Sequence, residues 1–94
     1  MALVWLITGC SSGFGEEFVR QISARGDQVV ATARRLDSIL HLQQPDIACL
    51  ELDVASDQIT IEKVVSKAIA AFGKLDVVVH NAGYGTMGTL EEIE

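Results

Sequence analysis

The sequence predicts an α/β fold with a doubly wound parallel sheet, and three observations predict it. Short apolar runs alternate with segments of helical periodicity along the chain. The first run, Leu3 to Ile7, passes directly into a glycine-rich turn and a helix start. The run containing Val77, Val78 and Val79 is continuously apolar, the pattern of a strand buried on both faces of a parallel sheet. At 94 residues the chain is expected to form one domain over 1–94, with a core of limited size.

The elements follow in order. After the strand Leu3 to Ile7, Phe14, Phe18, Val19 and Ile22 keep helical spacing until Gly26 offers a C-terminal stop. Val29 to Ala33 is a second, β-prone run. Leu36 to Gln43 reads as a brief helix closed by Pro45, and Ile47 to Val54 as the third strand. Ser56 or Asp57 can cap the next helix, whose Ile61, Val64, Val65, Ala68, Ile69 and Phe72 form an apolar stripe ended by Gly73. Leu75 and Val77 to Val79 give the fourth strand. Four strands alternating with three helices, joined by right-handed crossovers, give the order 3-2-1-4, with a ligand crevice at the carboxyl edge where the order reverses.

At that reversal lies the run Thr8, Gly9, Cys10, Ser11, Ser12, Gly13, Phe14, Gly15. A turn feeding a helix start exposes unpaired N–H groups at the positive end of the peptide dipoles, a seat for phosphate. Gly9 permits the sharp turn, Gly13 lets backbone approach a pyrophosphate, and Gly15 brings helix close to strand. The expected ligand is a dinucleotide. At the end of the second strand, an acid would bond the adenosine ribose and select NAD; here Ala33 is followed by Arg34. A guanidinium without a carboxylate suits a 2′-phosphate, so NADP (NADPH) is favoured over NAD. Arg34 also reads as a solvated arginine, since Arg35 could share or replace that contact. A methyltransferase-like fold is disfavoured on the same ground, because its ribose site also usually wants an acid there.

Taken with Asp53 and Val54 at the third strand end and His80, Asn81, Ala82 and Gly83 at the fourth, these motifs resemble the short-chain dehydrogenase/reductase family over essentially the whole chain. Thr8, Gly9, Gly13 and Gly15 fill its Thr-Gly-x-x-x-Gly-x-Gly pattern, and Asn81 to Gly83 its Asn-Ala-Gly element. The resemblance implies a Rossmann-type sheet and an oxidoreductase acting on a CH–OH or carbonyl group. It places Ser11, Ser12 and Phe14 along the cofactor and Asp53 at the adenine amine. Val54 would meet the base through its backbone, and Asn81, Ala82 and Gly83 would run beside the adenosine ribose. His80 departs from the family, which often has asparagine there, and reads as a structural residue. Asp53 also suits a purely local strand-end turn.

The family implies a catalytic tyrosine with a lysine four residues later, and a serine that orients the carbonyl. Tyr84 is the one tyrosine, Gly88 stands four residues on, and no lysine follows Lys74, so no residue here is assigned a catalytic role. The expectation is an incomplete sheet that binds cofactor without turnover: a truncated gene model, a fragment or a degenerate copy. A carbonyl or alcohol substrate would need the missing half. The fourth strand should keep an open edge exposing Val77, Val78 and Val79, a surface for association. The rival reading is a non-catalytic nucleotide-sensing or interaction module docking a partner there.

Composition narrows the partners. A net charge of −6 and a pI near 4.7 argue against nucleic acid or an anionic membrane. The first apolar run lacks a basic flank and is too short to span a bilayer, so a cytoplasmic location is expected. Cys10 and Cys49 lack metal spacing and read as reduced thiols, Cys10 as a small apolar filler and Cys49 as core.

Overall fold

The computed structural model describes residues 2–11, 13–53 and 56–79, and the backbone of 90–92. Among the described residues the elements are β1 (Val4–Ile7), α1 (Gly13–Ala24), β2 (Gln28–Ala33), β3 (Ile47–Glu51), α2 (Gln58–Phe72), β4 (Val77–Val79) and β5 (Leu90–Glu92). They form one sheet of order β3-β2-β1-β4-β5. The first four strands are parallel, with Ile7 opposite both Ala31 and Val79, and Ala31 opposite Cys49. The expected order 3-2-1-4 is therefore present.

Residue parity along the strands divides the core between two faces, since neighbouring side chains point to opposite sides. Trp5, Ile7, Val29, Ala31, Ile47, Val77 and Val79 face α1, which buries Val19 and Ile22 against them. Val4, Leu6 and Val30 face the other way and meet Ala68, with Val65 and Phe72 of α2 packed against this second cluster. One helix on each face makes the sheet doubly wound.

Three expectations change. The segment Leu36 to Gln43 is not an α-helix but two 3₁₀ turns, Leu36–Ser38 and Leu40–Leu42, leaving two α-helices rather than three. Its apolar residues explain this: Leu36, Ile39 and Leu42 recur every third residue, so a three-residue turn aligns them on one side, and Ile39 and Leu42 are fully buried. The third strand ends at Glu51 rather than Val54, with one further bond from Leu52 N–H to the Ala33 carbonyl at 2.8 Å. Finally, β4 has no open edge. β5 pairs antiparallel with it, Val79 opposite Leu90, and Val77 and Val79 are buried. The edge strands among the described residues are β3 and β5.

The α2 ends are capped as the sequence suggests. Asp57, rather than Ser56, takes the N-terminal role, its Oδ1 accepting from Thr60 N–H at 2.9 Å. Gly73 closes the helix at φ +86°, a conformation that favours glycine. The buried stripe is narrower than the apolar pattern, with Val64 and Ala68 buried but Ile69 exposed to solvent. No helix among the described residues is long and apolar enough to cross a membrane.

Candidate functional site

The carboxyl ends of β1, β2 and β3 open onto the same edge of the sheet, and the glycine turn lies there between its neighbours. Thr8 N–H donates to the Val79 carbonyl of β4 at 3.1 Å, and Cys10 N–H to the Thr32 carbonyl of β2 at 2.9 Å. The buried Thr32 hydroxyl donates to the Ile7 carbonyl at 2.9 Å. The turn is thus tied to both flanking strands at the point where strand order reverses. Gly9 carries φ +67°, a backbone that L side chains rarely adopt. Cys10 lies fully buried beneath it, its Sγ donating to the Ile7 carbonyl at 3.2 Å, and burial pushes its thiol up to about 12. That thiol is an inert filler at neutral pH. Cys49 is only half-buried, its thiol also pushed up by burial, and both cysteines are free.

The site residues read from the sequence divide into three sets. Thr8 and Gly15 are buried where turn meets sheet, while Ser11, Gly13 and Phe14 are exposed at the open edge. A Cβ built on Gly13 meets nothing within 4 Å among the described residues. Phe14 is 56% exposed yet touches Phe18, ring centroids 6.4 Å apart. It therefore belongs to the surface rather than to the core stripe of α1. The second set is Arg34 and Asp53, which line one cavity of about 480 Å³ with Leu36, Leu52, Thr60 and Val64. The third set, Ser12, Val54, Asn81, Ala82 and Gly83, lies outside the described residues, as do His80 and Tyr84.

The two adjacent arginines have different surroundings. Arg35 pairs with Asp37 at 3.6 Å and is absent from the cavity wall. Arg34 lines the cavity and makes no ion pair among the described residues. No group of three or more potential metal ligands occurs among the described residues.

The sequence reading missed the contribution of α2. Thr60, Val64 and Lys67 all line the cavity, and their i, i+4, i+7 spacing marks one helix face. It also missed Glu16. This residue in the first turn of α1 accepts from Arg20 Nη2 at 2.7 Å and lies 3.1 Å from His41 Nε2. Those partners, Arg20 first, hold its carboxyl below the usual range.

Comparison with known proteins decides the family. The short chain dehydrogenase family profile matches residues 3–94. The chain belongs to the short-chain dehydrogenases. This short-chain dehydrogenase is 36% identical to 11-beta-hydroxysteroid dehydrogenase A of Sesamum indicum, over 97% of the chain and 28% of the relative. It is 33% identical to an oxidoreductase of Botryotinia fuckeliana, over 100% of the chain and 35% of that relative. Among solved structures, 3-ketoacyl-(acyl-carrier-protein) reductase of Brucella melitensis complexed with NADH superposes with TM-score 0.80 at 31% identity, covering 88% of this chain and 35% of that one. The chain thus spans about a third of the length of such relatives. As a short-chain dehydrogenase it belongs to a family of NAD(P)-dependent oxidoreductases that bind a dinucleotide cofactor.

Proposed function

We propose that this chain is the NADP(H)-binding portion of a short-chain dehydrogenase whose reaction reduces a carbonyl or oxidises an alcohol, and that the chain by itself binds coenzyme without turnover. The observation that carries the coenzyme choice is the placement of Arg34. It stands one residue past the end of β2 with no ion-pair partner among the described residues, on the wall of a cavity at the edge where the glycine turn lies. Such a volume is within the range of small-molecule sites, about 300–1,000 Å³.

When bound, the coenzyme supplies or accepts a hydride. The chain's own residues bind and orient it. Gly9 turns the backbone so that N–H groups at the start of α1 present to the diphosphate, and Gly13 leaves room for its approach. Thr8, Ser11, Ser12 and Gly15 complete the turn, with Phe14 beside the coenzyme. Arg34 holds the 2′-phosphate through charge-assisted bonds, Asp53 accepts from the adenine amine, and Leu36, Leu52 and Val64 give the base an apolar wall. Val54 and Asn81 to Gly83 line the remaining adenosine path. No residue of this chain is assigned to proton transfer.

Titration of the chain with NADPH and with NADH tests both parts. Tighter binding of NADPH, by about tenfold (~1.4 kcal/mol), is expected from a charge-assisted arginine–phosphate contact. Equal or tighter binding of NADH overturns the choice of NADP. Absence of binding by either coenzyme overturns the site itself.

A further inference from the structure

The end of β2 lacks the acid that would bond an adenosine ribose, yet a carboxylate stands beside it on the next strand. Glu51, the last residue of β3, is the register partner of Ala33, the last residue of β2. Neighbouring strands lie about 4.8 Å apart, so the Glu51 side chain starts one strand spacing from the position such an acid would occupy. The bond from Leu52 N–H to the Ala33 carbonyl at 2.8 Å carries this alignment past the strand ends. Arg34, Glu51 and Asp53 then line the same cavity. One wall presents a cation and two carboxylates.

Asp53 is the residue assigned above to the adenine amine, which leaves Glu51 without a role. Glu51 is exposed, and among the described residues it forms no ion pair with Arg34 or with Lys67, the other cation of the wall. Its charge acts on whatever occupies the cavity. An ionised carboxylate accepts hydrogen bonds and donates none, so it favours the free ribose hydroxyls of NADH and opposes the 2′-phosphate of NADPH. Arg34 acts in the reverse sense. We infer that Glu51 is a specificity-determining residue that supplies from β3 the ribose carboxylate β2 lacks, and so limits the preference for NADPH that Arg34 creates. The inference rests on the coenzyme reading above and deepens it. Because Arg34 and Glu51 are both exposed, solvent screens the effect to about two- to fivefold in Kd.

The test titrates the whole chain, Glu51→Gln and Glu51→Asp with NADPH and with NADH at about pH 8, where a phosphate monoester carries its second charge. The readout is the ratio of the two Kd values. Glu51→Gln should bind NADPH about two- to fivefold more tightly than wild type and NADH about two- to threefold more weakly. Glu51→Asp, which keeps the charge, should stay closer to the wild-type ratio. Raising the salt to about 0.5 M should shrink the gain for NADPH, because screening weakens a repulsion between exposed charges. A merely structural Glu51 would instead shift both coenzymes by one factor or leave both unmoved. An unchanged ratio in Glu51→Gln therefore overturns the inference while the coenzyme site stands. A wild type that binds both coenzymes equally, beside a Glu51→Gln that prefers NADPH, upholds the inference and overturns the choice of NADP. Failure of all three proteins to bind either coenzyme overturns the site, and the inference with it.

Discussion

At the amino edge of the sheet three aspartates bridge neighbouring elements, whereas at the carboxyl edge main-chain bonds tether the glycine turn and Arg34 has no ion-pair partner among the described residues. Asp27, before β2, accepts from Leu3 N–H and from the Trp5 indole, both at 3.1 Å. Asp46, before β3, accepts from the Ser23 hydroxyl of α1 at 2.6 Å. Asp76, before β4, accepts from Val4 N–H at 2.8 Å and from Lys74 at 3.1 Å. The opposite edge has the glycine turn, held by Thr8 and Cys10 N–H, and a cavity whose wall includes Arg34 together with Glu51 and Asp53. Side-chain bridges fix the amino edge, and groups that could accept a ligand collect at the other.

If this division is real, substitutions at the two edges separate binding from stability. The largest effect is expected at Gly13→Val. A Cβ at this position meets nothing within 4 Å among the described residues, so folding should be little disturbed, but the side chain fills the space needed by the diphosphate. Coenzyme binding should fall at least about 100-fold, ~2.7 kcal/mol. Titration together with urea unfolding checks this. A variant that binds like wild type would deny that the turn is a cradle.

Asp27→Ala tests the other edge. It strips the nearly buried Trp5 indole of its partner and frees Leu3 N–H, and leaving such donors unsatisfied should destabilise the fold by about 2 kcal/mol. Coenzyme affinity of the folded protein should stay within a factor of about two, because Asp27 lies a strand length from the turn. A large loss of affinity with unchanged stability would dissolve the distinction between edges. Smaller still is the effect of Arg34→Met, which should cost about tenfold, ~1.4 kcal/mol, for NADPH and nothing for NADH. The competition between Arg34 and Arg35 is decided by the same measurement on Arg35→Met. Already paired with Asp37, Arg35 should leave both coenzymes unaffected.

These contrasts also explain what could be read from the sequence. Parallel strands buried on both faces write themselves as continuous apolar runs, so the order of β1 to β4 and the two faces of the core were legible. The glycine turn was legible because a positive φ at Gly9 and an open approach at Gly13 restrict the residues that fit. The segment 36–42 misled because Leu36, Ile39 and Leu42 satisfy either a helical or a three-residue period, and packing on the α1 face chose the latter. The partner of β4 was not legible, since three residues near the end of the chain, Leu90 to Glu92, carry no strand-like alternation. The clamp at Glu16 was hidden because residues 25 positions apart meet only once the 3₁₀ turns are placed. One signal was present but passed over: an aspartate immediately precedes each of β2, β3 and β4.

The three aspartates with depressed pKa values, Asp27, Asp57 and Asp76, give the smallest and most distributed test, the response to acid. Leu3 N–H, followed by the Trp5 indole, lowers Asp27; the hydroxyl and N–H of Thr60 lower Asp57; Val4 N–H, followed by Lys74, lowers Asp76. A carboxyl whose folded pKa lies below its unfolded value binds fewer protons folded than unfolded at intermediate pH, so stability rises with pH there. The contribution is complete above the unfolded aspartate value of about 3.9 and is lost as pH falls through the depressed folded values. The urea midpoint should therefore hold level from pH 7 to about 5 with respect to these groups and decline below about 4. Asp27→Asn and Asp76→Asn should each flatten part of that decline while lowering the plateau, and Asp57→Asn, which keeps a capping oxygen, should flatten it with the least loss of plateau. Equal acid slopes in wild type, Asp27→Asn and Asp76→Asn would mean that the amino edge is held by packing alone, and the contrast between the edges would then rest only on the glycine turn and Arg34.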